Sequence, residues 1–311
     1  VVLGPTAVGK TKLANRLAEH FESHLISADS RQVYRGLDIG SGKDLFEITV
    51  PHHLLDIALL NQEYSVYDYQ SDFYRVFSEL EEKKIKPIVV GGTGMYLDAI
   101  IRNYTLVEVP TNIPLRESLN GKTMEELVAL LFSLKPNVHN KTDIEERHRL
   151  LRAIEIETYY NEKKITSLDS QTNFENKIKQ KSENKTSFNP FILGTTFPRE
   201  KLRKVITERL KKRLKEGMIE EVEGLLQEGF SHERLQRLGL EYKFLSLYLL
   251  KEITKDELFQ KLNTAIHQFA KRQETWFRGM ERKGVFIHWI PCDGSEKECS
   301  VEERFQKALE I

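Results

Sequence analysis

Eight residues near the start of the chain, Gly4-Pro5-Thr6-Ala7-Val8-Gly9-Lys10-Thr11, meet every fixed position of the pattern G-x-x-x-x-G-K-[ST]. Such a loop turns its backbone N–H groups inward around phosphate oxygens, and its glycines permit the turn. Lys10 adds a point charge, and the Thr11 hydroxyl is suited to hold Mg²⁺. The helix that follows points its positive end at the anion. Gly4, Thr6, Ala7, Val8, Gly9, Lys10 and Thr11 are therefore the predicted diphosphate-binding set. The loop specifies a phosphate, and leaves open which compound carries it and what is done to it.

Other residue types suit the same chemistry. Asp29, in Ile26-Ser27-Ala28-Asp29-Ser30, follows an apolar strand. A carboxylate there can hold Mg²⁺, act as a base toward a substrate, or cap the next segment. Gly91-Gly92-Thr93-Gly94 is either a plain strand-to-helix turn or a ligand wall with Thr93 facing in. Arg209, with Leu202, Val205 and Leu210 available to pack, can present planar donors to a pyrophosphate or lie at the surface. Lys271-Arg272-Gln273 with Trp276, Phe277 and Arg278 mixes bases and aromatics on one helix. That mix fits nucleic-acid contact, or core aromatics beside solvated charge. His52-His53 beside Asp56 is a poor metal site, because adjacent residues of an extended segment point to opposite faces.

These residues need a scaffold. Short apolar strands are predicted at residues 1–3, 24–27 and 88–90, with amphipathic helices at 11–20 and 65–84. The alternation implies an α/β fold with a parallel sheet covered on both faces. Ligands of such sheets sit at the carboxyl ends of the strands, so the loop, Asp29 and Gly91–Gly94 should converge on one crevice. Residues 124–134 and 143–160 read as helices, and the polar stretch 161–189 reads as a mobile loop. A strand at 191–195 returns to the core. Helices follow at 199–216, 219–228, 242–250, 255–262 and 264–280, then a strand at 285–290. The expected division is a core of residues 1–114 and 190–311 with a helical insertion at 115–189.

Lysine plus arginine and aspartate plus glutamate both number 47, so net charge points to no polyanionic partner, but the distribution does. Residues 199–215 hold nine bases and two glutamates, whereas residues 216–228 hold five glutamates and no base. No signal peptide or bilayer-length apolar run is present, and Val1 already lies in the first strand, so leading residues are expected ahead of it. Cys292 and Cys299 are read as two isolated thiols of a reducing, cytoplasmic protein.

Together these segments resemble the tRNA dimethylallyltransferase (tRNA isopentenyltransferase) family. Beside the phosphate loop, the resemblance rests on Ala28-Asp29-Ser30-Arg31-Gln32-Val33-Tyr34-Arg35-Gly36-Leu37-Asp38-Ile39-Gly40, Pro51 to Ile57, Gly91 to Tyr96, Arg149 to Glu155, and Ala270 to Arg278. It spans nearly the whole chain in the family's order. It implies a P-loop NTPase-like core, with a helical insertion domain and a helical C-terminal region. It also implies transfer of a dimethylallyl group from dimethylallyl diphosphate to the exocyclic amine of the adenosine 3′ to the tRNA anticodon. Asp29 would take the amine's proton, while Lys10, Thr11 with Mg²⁺, and Arg209 would neutralise the departing diphosphate. The tRNA anticodon stem-loop would meet Asp29, Ser30, Arg31, Gln32, Thr93, Arg116, His148, Arg149, Leu150, Leu151, Arg152, Lys271, Arg272 and Arg278. The acidic helix at 216–228 would face away, and neither a membrane nor an obligate protein partner is implied. The chain departs from the family pattern at Gly40-Ser41-Gly42-Lys43-Asp44, where Gly-Thr-Ala-Lys-Pro is common, and at Glu241-Tyr242-Lys243, where Gly precedes Tyr. A P-loop small-molecule kinase and a non-catalytic nucleotide-binding module are the competing readings.

Overall fold

The computed structural model describes residues 1–136, 146–163 and 188–311. Among them, six strands form one parallel sheet in the order β3-β2-β4-β1-β5-β6. The strands are β1 (Val2–Leu3), β2 (Leu25–Ala28), β3 (His52–His53), β4 (Ile88–Gly91), β5 (Leu193–Gly194) and β6 (His288–Trp289). They are shorter than predicted at 191–195 and 285–290, and β3 was not predicted at all. Its two histidines lack the apolar signature of a buried strand, yet they pair in register with Leu25 and Ile26. His53 Nε2 lies 3.0 Å from His24 Nδ1 across that pairing.

Helix α1 (Lys10–His20) buries Leu13, Ala14, Leu17 and Ala18 on the sheet. Helix α2 (Val66–Glu82) starts at a capping box between Ser65 and Asp68, and buries Tyr69, Phe73, Val76 and Leu80. These pack on Tyr96, Leu97 and Ile100 of α3 (Gly94–Ile101), the helix into which the Gly91–Gly94 turn leads.

The chain divides into two compact units, Val1–Tyr104 with Phe188–Ile311, and Thr105–Ser187. In the smaller unit, α4 (Ile113–Ser118), α5 (Met124–Leu134) and α6 (Arg147–Glu162) surround Leu119, Leu127, Leu131, Leu150 and Ile154. Residues 143–145 of the predicted 143–160 helix, and most of the predicted loop at 161–189, lie outside the described residues.

In the larger unit the C-terminal third is helical: α7 (Arg199–Lys215), α8 (Met218–Gln227), α9 (His232–Arg237), α10 (Leu240–Leu249), α11 (Lys255–Arg282) and α12 (Val301–Glu310). The two helices predicted at 255–262 and 264–280 are one. Asn263 and Thr264 are only weak helix formers, and the stripe Leu258, Leu262, Ile266, Ala270, Gln273, Phe277 and Met280 runs through them unbroken.

Candidate active site

Four strand ends meet at one cleft of about 960 Å³, which holds Lys10, Asp29, Thr93, Arg209, Glu241 and Gln273 in its wall. The phosphate loop leaves β1 and ends at Gly9, which caps α1 with φ 71°, a conformation glycine adopts without strain. Ala7 also adopts a positive φ, 66°. Such a left-handed turn in the loop aims successive N–H groups inward, the arrangement that binds anions. Lys10 Nζ donates to Pro5 O at 2.6 Å. Burial draws the Lys10 ammonium down to about 7, opposed by Asp29 and reinforced by Arg209.

The loop is held from two sides by residues distant in sequence. Gln273 of α11 accepts from Thr6 N at 2.8 Å and donates to Gly92 O at 2.8 Å. A Cβ on Gly92 would sit 2.5 Å from Gln273 Nε2, so only glycine allows this approach. Arg304 of α12, almost fully buried, donates to Val8 O at 2.5 Å and to Thr195 Oγ1 at 3.2 Å. Arg304 was not singled out from the sequence, and Gln273 was named only within the basic, aromatic run of its helix, with no role toward the phosphate loop. Gln273 sits where an apolar residue is expected on the α11 stripe, and that exception was the legible signal.

Asp29 Oδ1 accepts from Arg31 N at 2.9 Å and Gln32 N at 3.4 Å, so the carboxylate does cap the next segment. Asp29 Oδ2 makes no hydrogen bond among the described residues. Ser30 N donates to Thr93 Oγ1 at 2.9 Å, which brings the glycine turn against this loop. Gly91–Gly94 is thus both the entry to α3 and a wall of the cleft.

Arg209 Nη1 reaches Thr6 Oγ1 at 3.5 Å, and its Nη2 lies 3.5 Å from Asp44 Oδ2. The basic run is therefore not a solvated surface throughout, because α7 turns Arg209 and Arg213 inward. Arg213 donates to Asp44 Oδ1 at 3.0 Å and Oδ2 at 2.8 Å, and also to Ile39 O. Asp44, one of the departures in sequence, thereby ties the two arginines together. Glu241, the other, lines the same cleft; burial raises its carboxyl pKa against the pull of Arg209, Arg31 and Arg213.

The acidic helix of residues 216–228 has a role inside the fold. Glu221 of α8 accepts from the N–H groups of Asp38 at 3.0 Å, Ile39 at 2.5 Å and Gly40 at 3.1 Å, and from the Tyr242 hydroxyl at 2.8 Å. A carboxylate is the group that satisfies three adjacent N–H donors at once. This acid fixes the loop that carries Asp44.

The remaining predicted positions divide clearly. Lys271, Arg272 and Arg278 are exposed on α11, whereas Phe277 is core and Trp276 packs beneath Gly94. Of this run, Phe277 and Trp276 pack within the protein, while the three bases reach solvent. In the smaller unit, Arg149 and His148 are exposed and Leu151 is half-buried. Leu150 is fully buried in that unit's core, so its side chain does not present a surface. Arg116 and Arg152 both donate to Glu155, which also accepts from Asn112 N at 2.5 Å. Among the described residues no group of three or more His, Cys, Asp or Glu side chains could hold a metal ion.

A family model described as IPP transferase matches residues 32–280. The chain belongs to the IPP transferase family. It is 51% identical to tRNA dimethylallyltransferase 2 of Treponema denticola over 93% of this chain and 94% of that protein. It is 46% identical to tRNA dimethylallyltransferase 1 of Parabacteroides distasonis over 93% and 91%. The crystal structure of the full-length tRNA isopentenylpyrophosphate transferase of Bacillus halodurans matches with a TM-score of 0.68 at 29% identity, covering 99% of this chain and 94% of that one. A family member with this phosphate loop and sheet order is a P-loop-type α/β protein, and the kinase reading falls away.

Proposed function

We propose that this protein is a tRNA dimethylallyltransferase, moving a dimethylallyl group from dimethylallyl diphosphate to the exocyclic amine of the adenosine just 3′ of the anticodon. The observation that carries the reading is one cleft in which Lys10 and Arg209 flank the phosphate loop and Asp29 shares the wall. The loop's N–H groups and the two cations seat the diphosphate. The amine nitrogen attacks the first carbon of the prenyl chain, the carbon–oxygen bond to diphosphate breaks, and the electron pair leaves on the diphosphate oxygen. Lys10 and Arg209 stabilise that growing charge without reorganising. Asp29, whose Oδ1 is fixed by two backbone N–H groups, takes the amine proton. The adenine must leave its stack to reach the cleft, at a cost of a few kcal/mol.

Mg²⁺ fits this site as a cofactor. The Thr11 hydroxyl lines the cleft and no protein group among the described residues takes it up. With no cluster of three or more carboxylate, His or Cys ligands among the described residues, Thr11 would share the ion with the donor's phosphate oxygens, the usual manner for Mg²⁺. The ion would supply further neutralisation of the leaving diphosphate.

For the tRNA, Asp29 to Gln32 and Thr93 lie at the cleft, and Lys271, Arg272 and Arg278 offer exposed phosphate contacts. His148, Arg149, Leu151, Arg152 and Arg116 are the corresponding positions of the smaller unit. A cytoplasmic location follows from this substrate, and no helix among the described residues is long and apolar enough to cross a membrane. Incubation with labelled dimethylallyl diphosphate and tRNA, beside ATP with small acceptors, tests the reading. Label should appear on the adenosine 3′ to the anticodon. Phosphoryl transfer from ATP with no label on tRNA would overturn it.

A further inference from the structure

The two cysteines of this chain, seven positions apart, are brought together by the loop between β6 and α12. Cys292 Sγ lies 3.1 Å from Cys299 Sγ. Both side chains are half-buried against the cluster that contains Phe197 and Leu202, so each is packed on one side and open on the other. The loop is shaped by its own bonds. Ser295 N donates to Asp293 Oδ1 at 2.8 Å, and Cys299 N donates to Ser295 O at 3.0 Å. Lys307 of α12 then closes it, donating to Pro291 O at 3.1 Å and pairing with Glu298. The thiols therefore face each other because the backbone around them is tied, and a modest approach would bring them to the bonding distance of about 2.05 Å.

The place is consequential. Ser300 caps α12 immediately after the pair. One turn on, Arg304 is the strut that reaches Val8 O and Thr195 Oγ1 beneath the phosphate loop. We propose that Cys292 and Cys299 are a redox-active dithiol that closes to a reversible intrachain disulfide, stapling the loop that anchors the Arg304 strut. The oxidant is a low-molecular-weight disulfide such as oxidised glutathione. Cys292 thiolate attacks one of its sulfurs, expels one glutathione thiolate, and forms a mixed disulfide. Cys299, on losing its proton, attacks the Cys292 sulfur and expels the second glutathione. Two thiols are oxidised, one disulfide is reduced to two thiols, and protons balance. Burial and the hydrogen bond to Cys292 push the Cys299 thiol up to about 11, which suits the resolving rather than the attacking position.

The test is equilibration of the full chain with mixtures of oxidised and reduced glutathione, followed by intact mass, peptide mapping and thermal unfolding. The wild type should lose the mass of two hydrogens, yield a peptide linking Cys292 to Cys299, and unfold about 5 °C higher than its reduced form. Cys299→Ser should trap one glutathione on Cys292. Cys292→Ser should form no internal disulfide and carry at most one glutathione, on Cys299. A wild type that carries glutathione without an internal bond, stays reduced at equal concentrations of the two glutathione forms, or unfolds at a lower temperature once oxidised would overturn the proposal. Because these readouts need neither tRNA nor prenyl donor, they stand or fall apart from the proposed function.

Discussion

Thr6 N donates to Gln273 Oε1 across 267 positions of sequence, at 2.8 Å. The same amide donates to Gly92 O, so one side chain locks the phosphate loop to the turn that follows β4. Gln273→Leu would leave a buried N–H and a buried C=O without partners, at a cost of roughly 1–3 kcal/mol. The expected result is a lower unfolding midpoint together with donor affinity weakened by about tenfold, read by calorimetry and equilibrium binding. Unaltered donor affinity would show that the loop keeps its shape unaided.

Lys10→Ala should reduce turnover by about a hundredfold or more, the usual loss for one donor of a charge-stabilising site. It should also weaken diphosphate binding, since Lys10 is the one lysine in the loop. Steady-state kinetics with inhibition by inorganic diphosphate reads both effects. Activity within threefold of wild type, about 0.7 kcal/mol in barrier height, contradicts the assignment.

Asp29→Ala should lower single-turnover transfer by about a hundredfold or more while leaving tRNA affinity close to wild type. A base acts in the transition state, whereas many other contacts hold the RNA. Filter binding beside rapid quench separates the two. Weak binding with normal chemistry would reassign Asp29 to RNA recognition.

Lys271→Ala with Arg272→Ala should weaken binding of all tRNAs alike and flatten the dependence of log affinity on log salt, because each lost phosphate contact releases fewer counterions. Both side chains are exposed, so the fold should survive. Dimethylallyl diphosphate affinity should not change. A wild-type salt slope would mean that this face of α11 does not meet RNA.

Glu155 makes the smaller unit acid-sensitive. Burial pushes its carboxyl up, but hydrogen bonds from Arg116, Arg152 and Asn112 N outweigh that and hold it below the ordinary value of 4.5. A depressed folded-state pKa gives stability that is complete above the unfolded value and is lost as pH falls through the folded one. Amide exchange of α4 and α6 should therefore accelerate selectively below about pH 4. Glu155→Leu should produce the same loosening at pH 7, at about 2–3 kcal/mol, since both arginines remain one-third exposed and partly solvated.

What the sequence by itself determined is what short-range chemistry dictates. The phosphate loop is contiguous, and its glycines and lysine have few other uses in that order. Helix α5 was read to its ends, Met124–Leu134, because its signals are local: Thr123 and Glu126 form a capping box, and an apolar stripe follows. Asp29 and Gly91–Gly94 were legible because each directly follows a short apolar strand. Tertiary structure alone decided which distant side chains complete the site. Nothing near Gln273 or Arg304 in sequence says that one meets Thr6 and the other Val8, because those contacts depend on where long helices pack on the sheet. In sequence Glu221 is one of five glutamates in residues 216–228, and it anchors three N–H groups only because the loop at Asp38 to Gly40 lies against it. The cysteines looked isolated for the same reason. Periodicity reports which face of an element is buried, whereas the partner it is buried against is a property of the whole chain.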